Sequence, residues 1–546
     1  MILSKPLLEY FPPGYKPRPG QVEVINKIEK FLLSNKKFCF LHAPTGSGKS
    51  HIAETIASVT SKANPKYAEL VNTYLAYDKE QYEDLQLMYK PHGSFTLTIN
   101  KQLQDQHKNL FKNISIFKGK GNYRCTVDES FNTQIAPCTI SYIQKKKCLD
   151  NNSCPYYTAR NNALIEPNTV LNYASFFNLP DHLKKREILI CDEAHGLEDE
   201  IVGNFTTIVN YKSLSYNGID INKLTSDKPN DARAWLTDLS EELKEVISSK
   251  ANKSKFIDNK KELEMQHYRA ELKDSVDYTL AHWDVVQYIV EDTIDDRTKG
   301  ITGKKFTPVK IDKLTGCLFG YAEKIILMSA TFIDIKVIAQ TLGIKSDEYD
   351  IIELESTFDP KKSPIKFVTK YPLNYKTMKE NLPHVLEVVK WIVDQHKGQK
   401  GVIHTHTKAL ALELQKVLKG DRFLFREEGT ENAEIINDHK TRLKEDTVII
   451  SPSVTTGLDL PGELGEWQII LKLPYLPLKD PRVEIMKKEY PNWYVMKMLT
   501  TLIQACGRCT RNEKDTSVTY IVDGSIKDVL MQHMNRLPKY FQDRIQ

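Results

Sequence analysis

Apolar positions fall in two kinds of pattern along the chain, and the two alternate. Phe38-Cys39-Phe40-Leu41, Ile188-Leu189-Ile190-Cys191 and Ile325-Ile326-Leu327-Met328 are near-continuous apolar runs. Runs of that kind mark strands buried on both faces, as in a parallel sheet. Phe95-Thr96-Leu97-Thr98-Ile99 alternates as a strand, and Asn168 to Tyr173 reads as a short one. Between the runs, apolar residues recur at helical spacing: Val22, Ile25, Ile28 and Leu32 form one face, and Ile52 to Val59 continues as a helix. The same alternation returns late in the chain, with strands at Val402-Ile403-His404, Val448-Ile449-Ile450 and Ile469-Ile470-Leu471. Strand–helix alternation in two blocks predicts two α/β units, with residues 340–364 as the linker between them. Residues 196–300 break the pattern, with 21 acids against 14 bases and helix-periodic runs from Trp235 to Ile247 and from Tyr268 to Glu291. They predict a mostly helical insertion whose net negative charge excludes it as the main phosphate-neutralising surface.

The turn after the first strand is Ala43-Pro44-Thr45-Gly46-Ser47-Gly48-Lys49-Ser50. Strand, glycine-rich turn and helix make a phosphate loop. Backbone N–H groups of Thr45, Gly46, Ser47 and Gly48 face the phosphates, Lys49 reaches the β/γ oxygens, and the Ser50 hydroxyl holds Mg²⁺. Ahead of it, Arg18 and Gln21 follow a Pro/Gly turn, and a Gln amide there suits the adenine edge. The second near-continuous apolar run is followed by Asp192-Glu193-Ala194-His195, where Asp192 would hold Mg²⁺ and Glu193 would polarise the attacking water. Thr98 and Gln106 suit phosphate or sugar contacts, although an ordinary strand-to-helix junction explains them equally. Ser329-Ala330-Thr331 closes another buried strand, and Thr455-Thr456-Gly457-Leu458-Asp459 lies in the second block. Near the end comes Gln504-Ala505-Cys506-Gly507-Arg508-Cys509-Thr510-Arg511, whose two arginines, three apart, would share one helix face and present guanidinium groups to a γ-phosphate.

Composition adds one question. The 546 residues carry a formal charge of only +5, too little to announce a nucleic-acid binder globally. Local charge is more telling: Lys101, Lys108, Lys112, Lys118, Lys120 and Arg124 face a single acid, Asp105. That stretch, with Tyr123, suits backbone tracking plus base stacking, and it runs into Cys125, Cys138, Cys148 and Cys154. Four cysteines in one window, in a chain with nine and no signal-peptide or membrane-length apolar run, argue for a reducing, cytoplasmic setting and against disulfides. Their spacing lacks paired C-x2-C knuckles, which leaves iron–sulfur, zinc or free thiols open. Lys145-Lys146-Lys147 adds positive charge beside Cys148.

Taken in order, Gln21, the Ala43–Ser50 loop, Thr98/Gln106, Asp192-Glu193-Ala194-His195, Ser329-Ala330-Thr331, His404-Thr405-His406, Gly457/Asp459 and Gln504-x2-Gly507-Arg508-x2-Arg511 resemble the superfamily-two DNA helicases. The Lys-Gly-x-x-Asn-Tyr-x-Cys approach to four cysteines narrows the resemblance to the XPD/DinG-like group. It implies two RecA-like motor domains: 1–115, 161–203 and 306–345 as the first, 346–546 as the second. Residues 116–160 would be an iron–sulfur insert and 204–305 a helical arch. It further implies a [4Fe–4S] cluster on Cys125, Cys138, Cys148 and Cys154. ATP and Mg²⁺ would be held by Lys49, Ser50, Asp192, Glu193, Gln504, Arg508 and Arg511, with Gln21 on adenine and Gly457 and Asp459 coupling nucleotide to DNA. The activity implied is 5′→3′ translocation by a monomeric motor on single-stranded and forked DNA, in a pathway such as DNA repair, without a membrane. No added nuclease domain is expected before residue 15 or after residue 530. The rival readings are an ATP-gated nucleic-acid clamp and an RNA-directed motor.

Overall fold

The computed structural model describes residues 3–60, 62–72, 84, 92–139, 148, 154–251, 260–295, 297–425, 432–442, 445–452, 460–510 and 514–546. Its contacts divide the chain into two compact units: Met1–Leu41, Ser50–Met328 and Ile338–Ile352 form one, and His42–Lys49, Ser329–Val337 and Glu353–Gln546 the other.

In chain order, the first unit begins with β1 (Phe38–His42), β2 (Ser94–Thr98), β3 (Ser115–Phe117), β4 (Asn168–Asn172) and β5 (Arg186–Cys191). The insertion that follows contributes β6 (Thr207–Asn210), β7 (Tyr288–Ile294) and β8 (Ile301–Pro308), after which β9 (Ala322–Ser329) and β10 (Tyr349–Glu353) return to the main sheet. Among the described residues that sheet has seven strands in the order β10-β1-β9-β5-β2-β4-β3. β2 pairs in parallel with β4 and β5, β3 with β4, and β5 with β9. The predicted strands are all present, and β1 is buried at four successive positions, as a sheet covered on both faces requires. β10 corrects the linker reading of 340–364: Ile351-Ile352 is a β-branched pair, and an edge position needs only one good face.

The insertion is not helical throughout. Helices Pro229–Ala251 and Lys260–His282 pack on an antiparallel sheet of order β6-β8-β7. The helix read through Glu291 stops at His282, because Tyr288-Ile289-Val290 is richer in β-branched and aromatic residues than a helix favours. Val209, Trp235, Leu236, Leu239, Leu243, Val276 and Phe306 form its core, with the Trp235 and Phe306 rings stacked at 6.2 Å. Arg269 is fully buried there, held by Glu262 at 2.8 Å and by two N–H bonds to the Asn217 carbonyl.

The second unit is built on β11 (Ile365–Phe367), β12 (Gly401–His404), β13 (Phe423–Phe425), β14 (Val448–Ser451), β15 (Trp467–Ile470) and β16 (Val518–Ile521). These form a parallel sheet of order β11-β16-β15-β12-β14-β13. One face carries Trp467, Ile469, Ile403 and Val389, the other Ile470, Ile521, Leu502 and Cys506. Gly401 lies opposite Trp467 in the β12–β15 pair, and a Cβ at 401 would enter the indole ring. Gly401→Ala is therefore expected to destabilise the protein by about 1–3 kcal/mol, an overpacking cost. Thermal unfolding checks it; an unchanged midpoint would show that the indole moves aside freely.

Candidate nucleotide and cysteine sites

β1 delivers its last residue, His42, to the phosphate loop, and the loop closes on itself. Gly46 and Gly48 have φ of 75° and 84°, the left-handed region that only glycine enters without cost. Ser47 donates from both its amide and its hydroxyl to the Pro44 carbonyl, at 3.2 and 2.6 Å. The Ser47 side chain is thus used inside the turn, while alternating glycines orient successive N–H groups as an anion nest. Helix Lys49–Ala57 starts immediately after it, with Lys49 and Ser50 half-buried and Thr45 alongside. The Ala43 amide donates to the Ser329 carbonyl at 2.9 Å, which ties the loop to Ser329-Ala330-Thr331. His42 Nε2 donates to the Ala330 carbonyl, which also accepts the Tyr540 hydroxyl. Burial, and secondarily the charge of Lys49, lower the His42 pKa, so the ring is the neutral tautomer with its proton on Nε2.

Asp192 and Glu193 follow β5 directly. The Asp192 amide adds one more rung, to the Leu97 carbonyl, and the Asp192 carboxylate accepts the Glu193 amide at 3.0 Å. Tyr173, fully buried, donates its hydroxyl to the Asp192 carbonyl at 2.9 Å; burial holds that hydroxyl far above its ordinary pKa, so it remains a donor. Glu193 itself has φ of 51°, unusual for a residue with a side chain, and such strain is retained where a side chain must be aimed. His195 Nδ1 stands 3.3 Å from the Glu193 carboxylate.

Other predicted positions are given plainer work. Arg18 precedes helix Pro19–Leu33, and the Gln21 amide oxygen accepts the Arg18 N–H at 2.9 Å, a helix cap. Thr98 donates to the Asn100 carbonyl and Asn100 caps helix Lys101–Leu110, so this junction takes the structural reading, with Gln106 exposed. His51, not singled out by sequence, sits edge-on to Tyr15 at 4.4 Å and near Phe11 and Phe111. Burial, then Arg18, lowers its pKa. The cluster of Phe11 and Tyr15 just ahead of Pro17-Arg18-Pro19 was the available signal.

In the second unit, helix Trp493–Cys506 carries Gln504 and ends before Arg508. This corrects the shared helix face for the two arginines: Gly507 stops the helix, Arg508 lies in the following turn, and Arg511 lies outside the described residues. Gly457 and Asp459 also lie outside them. Cys506 and Cys509 are buried and in no disulfide, with Cys506 pushed up to about 12 by burial.

The four cysteines of the insert converge. Cys125 is fixed by its amide bond to the Phe131 carbonyl and an Arg124–Asn132 bridge, Cys138 lies in the turn Pro137–Thr139, and Cys154 caps helix Pro155–Ile165. All four are free, and Cys125, Cys148 and Cys154 are each 7% exposed. Cys138 and Cys154 line a cavity of about 130 Å³ together with Lys120, Thr133, Thr139, Tyr156 and Tyr157. Burial, then the thiols of Cys148, Cys154 and Cys125, push Cys138 up to about 11. Among the described residues no three His, Cys, Asp or Glu side chains meet at single-ion spacing. Four cysteine thiols are the donor type that iron–sulfur clusters and structural zinc sites share. Lys118 pairs with Asp105, Lys120 sits over the Tyr156 ring, and Lys145–Lys147 lie outside the described residues. The insert leans on helix Lys260–His282 through Leu263, which packs with Cys125, Phe131 and Ala136, and through Gln134, which bonds His267 and Glu271.

Residues 400–544 match the family model described as helicase C-terminal domain, and residues 14–223 match that of the type III restriction enzyme, res subunit. A search of curated proteins gives no match. Among solved structures, one titled XPD helicase superposes with a TM-score of 0.59 at 15% identity, covering 95% of this chain and 98% of that one. The S. tokodaii Xpd4 structure gives 0.56 at 13% identity, covering 97% and 99%. A third, titled XPD apo, gives 0.54 at 16%, covering 94% and 98%. The two parallel sheets with flanking helices are RecA-like domains.

The helix that follows the phosphate loop also carries a pH-sensitive group. Glu54 accepts from the Asn168 amide at 2.6 Å, and burial raises its carboxyl from 4.5 to about 7. A raised carboxyl binds its proton more tightly in the folded state, so stability is greatest below pH 4.5 and falls as pH rises toward 7. Glu54→Gln is expected to raise the melting temperature over the parent more at pH 8 than at pH 5. An equal gain at both pH values would place the carboxyl in water.

Proposed function

We propose that this chain, with its match to a helicase C-terminal domain and its XPD-like fold, is a superfamily-two helicase that hydrolyses ATP to move along single-stranded DNA in the 5′→3′ direction and to separate the strands of forked duplexes. The observation that carries the reading is the phosphate loop. Its left-handed Gly46 and Gly48 follow a strand buried at four successive positions, in a chain whose β5 is followed by Asp192 and a strained Glu193. In this reading Lys49 binds the β/γ oxygens, Ser50 and Asp192 hold Mg²⁺, and Glu193 orients the attacking water. Arg508 and Arg511 neutralise charge that develops on the γ-phosphate, Gln504 donates a hydrogen bond there, and Gly457 and Asp459 couple that event to DNA. Gln21 contacts the adenine edge through its side-chain amide. Cys125, Cys138, Cys148 and Cys154 would hold a [4Fe–4S] cluster, which when bound supplies a rigid cross-link for the insert. The basic segment from Lys101 to Arg124 supports a nucleic-acid track beside it.

Lys49→Ala is expected to abolish ATP hydrolysis and strand separation while nucleic-acid binding remains measurable; full hydrolysis in that variant would remove the assignment. Strand displacement on substrates with 5′ or 3′ overhangs, with DNA or RNA as the loading strand, tests direction and substrate. Unwinding from 3′ overhangs only, or on RNA only, would overturn the respective part. Hydrolysis without any unwinding would favour the clamp. Cys138→Ser is expected to bleach the brown absorption of protein purified without oxygen. A colourless parent would point to zinc or free thiols.

A further inference from the structure

The second unit holds a row of polar side chains across the middle of a parallel sheet, where apolar residues are the rule. His404 on β12, Gln468 on β15 and Thr519 on β16 are all 0–1% exposed. Gln468 and Thr519 are direct neighbours in register. Gln468 Nε2 donates to Thr519 Oγ1 at 2.8 Å and to the Cys506 carbonyl at 3.1 Å. With both bonds made by the nitrogen, the amide oxygen faces His404 and accepts from His404 Nε2 at 3.2 Å. His404 is therefore neutral, and burial holds it down at about 4, with the charge of Arg508 contributing.

The Cys506 carbonyl has a second donor. Arg544 Nη2 reaches it at 2.9 Å, while Arg544 Nε donates to the Ser363 carbonyl at 2.7 Å. Cys506 is the last residue of helix Trp493–Cys506, and its carbonyl is one of those that a helix end leaves without an intrahelical partner. Gly507 and Arg508 follow at once; the Arg508 amide bonds the Ala505 carbonyl, and the Arg508 carbonyl accepts the Leu460 amide. The peptide from Cys506 to Arg508 is thus fixed on both sides by buried donors.

We infer that Gln468 and Arg544 are positioning residues for Arg508: by clamping the Cys506 carbonyl they set the direction in which the chain leaves the helix, and with it the reach of the Arg508 guanidinium toward the γ-phosphate. This rests on the role given to Arg508 above. A loose helix end would let the guanidinium wander by an ångström or so, and misplacement on that scale costs up to about 100-fold in rate. The row reaches the Arg508 turn through the Cys506 carbonyl, so it acts on turnover through Arg508 and leaves ATP binding elsewhere untouched.

The test compares ATPase kinetics of the 546-residue chain with those of Arg544→Met, Gln468→Met, Arg544→Lys, Arg508→Ala and the Arg544→Met/Arg508→Ala double variant. Arg544→Met and Gln468→Met are expected to lower kcat about 10- to 100-fold with the KM for ATP within about twofold, and Arg544→Lys, which keeps one donor, to fall between. In the Arg508→Ala background, Arg544→Met is expected to cost nothing more. A lowered melting temperature with unchanged kcat would overturn the inference, as would an Arg544→Met loss of equal size with and without Arg508. If Arg508→Ala alone leaves kcat unchanged, the role of Arg508 falls and the clamp's function with it. Should Arg544→Met fail to fold, Gln468→Met alone and in the Arg508→Ala background decides by the same criteria.

Discussion

The hydrogen-bond ladder of the buried parallel strands is the constraint on which the chemistry depends. Strands buried on both faces can leave no N–H or C=O unpaired, so pairing continues until the last residue that has a neighbour. In each unit it runs one rung past the strand end, and each extra rung belongs to a motif. Ala43 bonds Ser329 at the mouth of the phosphate loop, Asp192 bonds Leu97, Thr405 bonds Ser451, and Leu471 bonds His404. The backbone is rigid up to the residue at which the functional turn begins. Left-handed conformations then follow in these turns at Gly46, Gly48 and, against their steric preference, Glu193 and His406.

The cysteine insert is organised on a different principle. Its own apolar core is small, essentially Phe131 and Ala136 with two of the cysteines, and it borrows Leu263 from the neighbouring helix. Segments with so little buried apolar surface do not offset their conformational entropy alone. Short-range devices hold it instead: the Arg124–Asn132 bridge, Thr133 on the Lys120 carbonyl, Thr139 on Ala136, and rings of Phe117, Tyr123 and Tyr157 packed around Tyr156. Burial, and after it the neighbouring cysteines, push the Cys138 and Cys148 thiols up.

Much of this was legible in the sequence, for reasons that differ by element. Continuous apolar runs located β1, β5 and β9 because burial on both faces leaves no room for alternation. The phosphate loop was legible because only glycine tolerates φ near 80°. What failed did so where tertiary context decides. Residues 268–291 carry enough apolar positions for either structure, and pairing with β8 settles 288–294 as a strand. Residues 349–353 look like linker until a sheet edge recruits them. The expected common face of Arg508 and Arg511 assumed that the helix continued, and Gly507 was the signal against it. Gln21 was read for its donor and acceptor together; its oxygen also accepts from the Arg18 amide in a helix cap, which spacing alone could have indicated, as Gln21 is the third residue after Arg18.

The least legible feature is the polar row of the second unit, because Thr519 and Gln468 occupy positions that strand periodicity assigns to the core. Replacing such a row by apolar residues is often neutral or stabilising, so stability is a weak reason to keep it. What an apolar core cannot do is fix a single direction. Dispersion contacts between Leu502, Ile470 and Ile521 tolerate small slides at little cost. Hydrogen bonds to one carbonyl from two different elements, β15 and the chain end at Arg544, do not, since a shift that shortens one lengthens or bends the other. The row therefore trades apolar burial for angular definition at the one helix end from which Arg508 departs.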